Sequence, residues 1–140
     1  MNDIIINKIQ SIQRCIQRAK EEYQFNKDEF LTNYSRQDAA ILNLIRACEQ
    51  SIDLASHIVK SYKMGIPTNT AEVFQLLERK NVISAQLSEN MRYMVGFRNT
   101  VVHEYQKINM DIVIVVIETG LDDLIKFTDS VMDFKPDKTD

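Results

Sequence analysis

The fold class depends on residues 110–132, MDIVIVVIETGLDDLIKFTDSVM, because the first part of this stretch allows two interpretations. Residues 112–117 (IVIVVI) are β-branched throughout, and taken alone they are the best strand candidate in the chain. The apolar residues that follow, from Leu121 to Met132, are spaced three or four apart, which is typical of a helix. A lone strand would also have no partner to pair with. We therefore predict a buried helix over residues 110–132, bent at Gly120.

The two segments at the start of the chain also have helical periodicity. The first runs from about Asp3 to Phe25, with apolar residues three or four apart. Ser35 followed by Asp38 resembles a capping box and predicts the start of a second helix. We expect that helix to stop at residues 65–67 (Gly-Ile-Pro), because glycine suits a left-handed cap and proline does not continue a helix.

Two shorter segments connect this pair to residues 110–132. Asn69 predicts the start of a short helix that contains residues 73–77 and ends at a left-handed Asn81. Ser84 opens a further helix, which carries apolar residues from Leu87 onward. The pattern indicates an all-α fold, an antiparallel bundle of four to five helices.

Length and composition agree with this architecture. The chain has 140 residues, enough for one domain, which we place at residues 1–134 with a polar tail at 135–140. It contains only three glycines and two prolines, too few for a sandwich or barrel of many short strands. A sequence pI of 5.4 excludes a nucleic-acid binder that works through bulk positive charge.

Compartment and membrane signals are also informative. No stretch reaches the roughly 20 apolar residues of a membrane span. The first residues, MNDIII, lack the basic start of a signal peptide. Cys15 and Cys48 are far apart and have no metal-ligand spacing, so we expect two buried thiols. These features predict a cytoplasmic protein without a membrane partner or a disulfide.

One cluster of polar residues carries a chemical signal: RNTVVHEY at residues 98–105. An arginine followed four to six residues later by histidine would occur by chance in roughly a quarter of chains with this composition. Requiring four intervening residues and a tyrosine two positions after the histidine lowers that chance to about 0.3%. A surface arginine at Arg98 and a structural histidine at His103 are therefore the less favoured interpretations.

Helical geometry limits how these residues act together. At about 100° per residue, Arg98 and Tyr105 lie on one face of a straight helix, whereas His103 is rotated by about 140° from Arg98. Convergence of Arg98 and His103 needs either an unwound helix end near His103 or two copies of the segment across a dimer axis. A twofold dimer places each motif beside its mate.

Arg98, Asn99, His103 and Tyr105 resemble the R-N-x3-H-x-Y motif of HEPN-domain toxins of the HepT type, which are encoded beside a small MntA-like nucleotidyltransferase. This resemblance implies an all-helical HEPN-like bundle and a homodimer. It also implies metal-independent ribonuclease activity without a cofactor, on RNA and not on DNA, in a cleft between the two motifs. The MntA-like nucleotidyltransferase is the implied antitoxin partner.

The resemblance extends beyond the motif, over about residues 36–130. The segments 49–57, 71–77 and 91–105 match the family in order and spacing. One departure is Asn81, which stands where the family would have a glycine and which affects a helix cap only.

The implied roles are physically coherent. RNA supplies its own nucleophile, the 2′-hydroxyl, and the imidazole of His103 can exchange protons near neutral pH. Arg98 provides a planar cation for the charge that develops on the phosphate, and Asn99 either binds the phosphate or orients the imidazole. Tyr105 is the implied acceptor of AMP, which would add negative charge beside Arg98.

Two alternatives stay open from the residues alone. The second helix carries three polar residues at intervals of four: Glu49, Asp53 and His57. Two carboxylates and one imidazole are few ligands for a metal ion. A solvated helix face, or a place in the cleft or the dimer interface, is therefore favoured over a metal site. Two other functions are also open: a non-catalytic binding module or adaptor for a nucleotidyltransferase, and a helical dimer scaffold. The presence of both Arg98 and His103 favours the enzyme.

Overall fold

All regular structure in residues 2–136, the range that the computed structural model describes, is helical. The long elements are α1 (Asp3–Gln24), α2 (Tyr34–Ser61) and α4 (Ala85–His103), and the short helix α3 (Glu72–Arg79) lies between α2 and α4. After α4 come a 3-10 turn (Tyr105–Lys107), α5 (Met110–Val115), a π-helical segment (Val116–Gly120) and α6 (Leu121–Asp133). The all-α prediction is confirmed, and Asp137–Asp140 of the predicted tail lie outside the described residues.

The β-branched run is helical, as predicted. Val113 and Ile117 are four residues apart and buried, while Ile112 and Val115 on the opposite side are exposed. This i, i+4 pattern directs one face of the run to the core, and tertiary packing outweighs the strand propensity of the residues. The continuous helical stretch from α5 to α6 thus supplies the fifth helix of the bundle.

Gly120 ends the π-helical segment, where a bend was predicted. A side chain at this position would bring its Cβ within 2.9 Å of the Met94 sulfur on α4. A side chain at residue 120 would therefore require the Met94 side chain to shift, which glycine avoids.

The start of α2 differs from the prediction. The N-cap is Asn33, whose side-chain oxygen accepts a hydrogen bond from the Arg36 N–H at 3.1 Å. The predicted capping box of Ser35 and Asp38 is wrong, because Ser35 already lies inside the first turn. Asn and Ser are equally good caps, so the sequence alone did not decide between them. The carboxylate of Asp38 is consequently free for another contact, described below.

The end of α2 also comes earlier than predicted. The helix ends at Ser61, and Lys63 takes the left-handed conformation (φ 53°) while the Met64 N–H donates to the Val59 carbonyl at 2.9 Å. This is a Schellman motif with lysine in the place where glycine is most common. Gly65, with φ 132°, belongs to the following loop.

The boundaries predicted at Asn81 and Ser84 are confirmed, whereas the start predicted at Asn69 is wrong, because α3 begins at Glu72 with Ala71 as its N-cap. The side chain of Asn69 accepts from the Glu72 N–H at 3.0 Å, and Ser84 caps α4 by accepting from the Leu87 N–H at 3.1 Å. Asn81 is left-handed, with φ 60°. Ser84 thus fixes the start of α4, and Asn81 follows the end of α3.

The core lies between α1, α2, α4 and α6. Its largest fully buried side chains include Phe30, Phe74 and Phe127, and the last two rings pack edge to face at 5.5 Å. Cys15 and Cys48 are buried, as expected, and burial raises the pKa of the Cys48 thiol to about 12. No helix in residues 2–136 is long and apolar enough to cross a membrane.

Candidate functional site

The predicted site residues lie at the C-terminal end of α4. Val101 is buried and anchors this last part of the helix, while Asn99 and His103 are exposed and Arg98 is half-buried. Because Val101 packs against the core, the neighbouring polar side chains of the helix are held at the surface.

Arg98 is held by a residue of α2. Its Nε and Nη2 donate to the same carboxylate oxygen of Glu49, at 3.2 and 2.9 Å, and its Nη1 donates to the Asn99 side-chain oxygen at 3.0 Å. Three of the five guanidinium N–H bonds are thus used, which leaves two to donate to a phosphate oxygen. The pair with Glu49 therefore orients the guanidinium without saturating it.

His103 is the last residue of α4, and the helix stays regular up to this position. The backbone departs from helical geometry only at Glu104 (φ −133°, ψ 39°), which is one residue too late to turn the imidazole toward Arg98. The rotation of about 140° between Arg98 and His103 therefore holds. Because α4 unwinds only after His103, the first of the two predicted ways does not bring His103 to Arg98 within one chain, and the dimer stays a prediction.

Tyr105 does not continue the helix, and its predicted place on the Arg98 face of a straight α4 is wrong. It begins the 3-10 turn after Glu104, and its side chain is 47% exposed. Its hydroxyl donates a hydrogen bond to the carboxylate of Asp38 on α2. The contact with Asp38, followed by partial burial, raises the pKa of Tyr105 to about 12. The hydroxyl is thus protonated at neutral pH, accessible, and already bound to a base.

The stripe of Glu49, Asp53 and His57 is divided by the structure. Glu49 belongs to the site through its contact with Arg98, and Asp53 is exposed. His57 lies 3.5 Å from the Ser61 hydroxyl, farther along α2. Across the residues that the structure describes, no three His, Cys, Asp or Glu side chains come close enough to hold a metal ion together.

Two residues of α2 that contact the motif were not assigned to the site from the sequence. Asp38 was interpreted as a cap, and Glu49 as one of three polar residues with an open role. Each contact joins positions far apart in the sequence, 67 residues for Tyr105 and Asp38 and 49 for Arg98 and Glu49. The only sequence signal is opposite charge between Arg98 and Glu49, which many other pairs share.

The chain is similar to known proteins in both sequence and fold. A family model described as ribonuclease HepT-like matches residues 12–131. The chain is 45% identical over 131 residues to an mRNA nuclease HepT of Shewanella oneidensis, and the match covers 94% of this chain and 98% of that protein. It is 27% identical over 120 residues to a tRNA nuclease HepT of Aphanizomenon flos-aquae, covering 84% of this chain and 80% of that protein.

A solved structure has nearly the same fold. It is a tri-AMPylated HEPN toxin of Shewanella oneidensis in complex with an MNT antitoxin, 45% identical to this chain. The superposition has a TM-score of 0.89 and covers 94% of this chain and 98% of the other.

Proposed function

The chain belongs to the HepT-like ribonuclease family, and we propose that it is the toxin of a bacterial toxin–antitoxin pair that cleaves RNA without a metal ion. The observation that carries this proposal is the end of α4, where Arg98 keeps two unused N–H bonds next to Asn99 and the exposed His103 follows on the same helix. A guanidinium and an imidazole are the groups that phosphate charge and proton transfer require.

The catalytic unit in this proposal is a homodimer. Because Arg98 and His103 of one chain point about 140° apart, a twofold axis that places two α4 ends side by side would surround one phosphate with both groups. One His103 would then accept the proton of the ribose 2′-hydroxyl. The second His103 would donate a proton to the leaving 5′ oxygen.

The reaction is an internal transesterification. The 2′ oxygen forms a bond to phosphorus as the bond from phosphorus to the 5′ oxygen breaks, giving a 2′,3′-cyclic phosphate and a free 5′-hydroxyl. The two unused N–H bonds of Arg98 would stabilise the charge on the non-bridging oxygens. Asn99 has its oxygen engaged by Arg98, so its amide N–H bonds are available for the same phosphate.

Tyr105 is the proposed site of control by an MntA-like nucleotidyltransferase antitoxin. The tyrosine oxygen would attack the α-phosphorus of ATP, pyrophosphate would leave, and Asp38 is placed to accept the phenolic proton. Each AMP adds one negative phosphodiester, which would repel Asp38 and the phosphates of an RNA that approaches the end of α4. The tri-AMPylated state of the Shewanella oneidensis toxin supports this assignment.

One experiment tests the ribonuclease proposal. Wild type and His103→Ala are incubated with single-stranded RNA in EDTA, alongside DNA of the same sequence. We expect wild type to cut the RNA, His103→Ala to be slower by about 10²–10⁴-fold, and the DNA to stay intact because it lacks the 2′-hydroxyl. If neither protein cuts RNA and expression does not arrest growth, the chain is a binding module or scaffold instead.

The partner and the assembly need separate measurements. Light scattering of the purified chain should give the mass of a dimer. After co-expression with the neighbouring nucleotidyltransferase gene, mass spectrometry should detect added AMP units that disappear in Tyr105→Phe. An adduct that survives Tyr105→Phe would contradict the assigned residue. RNA as a target also implies action in the cytoplasm.

A further inference from the structure

Three of the seven arginines line one groove between α1 and α2, away from Arg98. The groove has a volume of about 570 Å³, and neither Asp nor Glu is among the described residues that line it. We call it the basic groove and define it by its polar lining residues Ser11, Arg14, Arg18, Asn43, Arg46 and Gln50. It is a concentration of positive charge on a chain whose net charge is −3.

Two of these arginines are free to bind an anion. Arg18 is engaged by Glu21 and Glu22, at 2.9 and 2.6 Å, whereas neither Arg14 nor Arg46 forms an ion pair within residues 2–136. Both lie close to Cys15: burial raises the pKa of that thiol, and the positive charges of Arg46 and Arg14 oppose the effect. The two unpaired guanidinium groups therefore act on the same part of the groove.

The basic groove also contains an acceptor in need of a donor. The side-chain oxygen of Gln50 is buried and has no hydrogen-bond partner in the part of the chain that the structure describes. Its amide nitrogen is 3.9 Å from the Cys15 sulfur, a weak contact. A buried carbonyl without a partner is costly, and rotation of this side chain, which lines the groove, would let the oxygen accept from a ligand hydroxyl. Cationic donors and one acceptor match the phosphates and 2′-hydroxyls that alternate along RNA.

The position of the groove links it to the catalytic surface. Ala39, which lines the groove, follows Asp38, the residue that holds Tyr105. Arg46 precedes Glu49, the residue that holds Arg98, by about one helical turn, or roughly 5 Å. The basic groove is thus the neighbouring face of the same stretch of α2.

We propose that the basic groove binds the backbone of single-stranded RNA at nucleotides that flank the scissile phosphate, with Arg14 and Arg46 as phosphate ligands and Gln50 as the acceptor of a ribose hydroxyl. This inference rests on the ribonuclease function proposed above. Acidic side chains of a protein partner match the positive charge as well, but in RNA every nucleotide supplies a phosphate and a ribose hydroxyl together. RNA accounts for both features.

The test measures binding to RNA that is not cut. Arg14→Gln/Arg46→Gln is introduced into His103→Ala, and fluorescence anisotropy of a labelled single-stranded RNA is followed over a range of salt concentrations. Each lost phosphate contact should reduce the slope of log K against log[salt] by about 0.7, so the double variant should lose about 1.4. Arg14→Lys/Arg46→Lys should keep the slope, and Arg79→Gln, an exposed charge on α3, serves as the matched control.

A second measurement separates this inference from the proposed function. With His103 intact, Arg14→Gln/Arg46→Gln should raise the KM for RNA about tenfold while kcat stays within about twofold. Affinity, slope and KM equal to those of Arg79→Gln would overturn the inference, and so would a loss of antitoxin binding with RNA binding unchanged. Failure of wild type to cut RNA would instead defeat the proposed function, whatever the groove binds.

Discussion

Two clusters of arginine and glutamate join helices in this protein, and they differ in burial more than in distance. Glu22 of α1 accepts from Arg18 at 2.6 Å and from Arg36 of α2 at 2.8 Å, and its side chain is only 9% exposed. Glu49 of α2 accepts from Arg98 of α4 at 2.9 Å, with side chains that are 44% and 31% exposed.

The difference separates a structural role from a functional one. Both oxygens of the buried Glu22 are occupied, so that cluster is closed and fastens α1 to α2. Exposed ion pairs contribute only about 0–1 kcal/mol to the free energy of unfolding, which gives Arg98 and Glu49 little weight in stability. Burial of the carboxylate, and not the distance to arginine, is what distinguishes the two clusters.

The largest expected effect comes from replacing the arginine of the exposed cluster, the pair of Arg98 and Glu49. Arg98→Gln removes the cation that faces the phosphate, and we expect RNA cleavage to fall by about 10²–10³-fold. The thermal unfolding midpoint should stay within about 2 °C of wild type, because the lost pair is half-exposed. Single-turnover cleavage and calorimetry of the same preparation measure both quantities.

Arg36→Gln is the matched control for Arg98→Gln. It removes the same type of side chain from the buried cluster, so the unfolding midpoint should fall while cleavage at 25 °C stays near wild type. Equal losses of activity in the two variants would show that burial of the carboxylate does not separate a structural cluster from a functional one.

The buried cluster, formed by Glu22, Arg18 and Arg36, should dominate the pH dependence of the free energy of unfolding. Burial alone would raise the pKa of Glu22, but hydrogen bonds from Arg36 and Arg18 outweigh it and hold that pKa below its ordinary value of 4.5. A lowered carboxyl pKa stabilises the fold above the unfolded value, and this stabilisation is lost as pH falls through the folded value. Glu22→Gln should therefore lower the free energy of unfolding by about 1–2 kcal/mol at pH 7.

Urea unfolding at several pH values checks this prediction. The gap between wild type and Glu22→Gln should shrink once the pH falls below 4.5, because protonation of Glu22 in wild type removes the same charge. A gap that stays constant down to pH 3 would mean that packing, and not charge, accounts for the loss.

The helices were predictable from the sequence because their signals are local. Spacing of apolar residues placed α1, and the cap at Ser84 placed the start of α4. Where two equally good caps competed, as Asn33 and Ser35 did, the prediction failed by one or two residues.

The site was predictable only as a motif. The spacing of Arg98, His103 and Tyr105 singled them out, but the place where α4 ends was not visible in it, and that end decides where Tyr105 points. Glu49 and Asp38 contact the motif across the fold, and nothing local to α2 marks them. Long-range contacts arise when the helices pack together, and local patterns in one sequence do not show which residues of two helices will meet.

A smaller effect on RNA cleavage is expected from replacing Glu49, the carboxylate of the exposed cluster. Glu49→Ala leaves Arg98 in place but releases two of its three hydrogen bonds, so the guanidinium is less well oriented toward a phosphate. We expect kcat to fall by about three- to tenfold with a change of less than about 1 kcal/mol in the free energy of unfolding. Glu49→Gln, which keeps an acceptor, should recover part of kcat; a rise in kcat for either variant would indicate that the carboxylate restrains Arg98 from binding RNA.

The smallest expected effect concerns the second contact between α2 and the motif. Asp38→Asn removes the charge beside Tyr105 but keeps a hydrogen-bond acceptor, so the pKa of Tyr105 should fall from about 12 toward its ordinary value of 10.0. Absorbance of the phenolate at alkaline pH, with Tyr105→Phe subtracted to remove the other four tyrosines, measures this change.

The contact between Tyr105 and Asp38 also determines how the free energy of unfolding changes at alkaline pH. A tyrosine pKa that is higher in the folded state favours the fold below pH 10, and this contribution is lost as the pH rises from 10 to about 12. Wild type should therefore lose stability in that window more steeply than Asp38→Asn does, although the half-exposed hydroxyl keeps the difference small. Identical alkaline transitions in both proteins would mean that Asp38 does not hold Tyr105 in solution, and its proposed role in accepting the phenolic proton during AMP transfer would lose its basis.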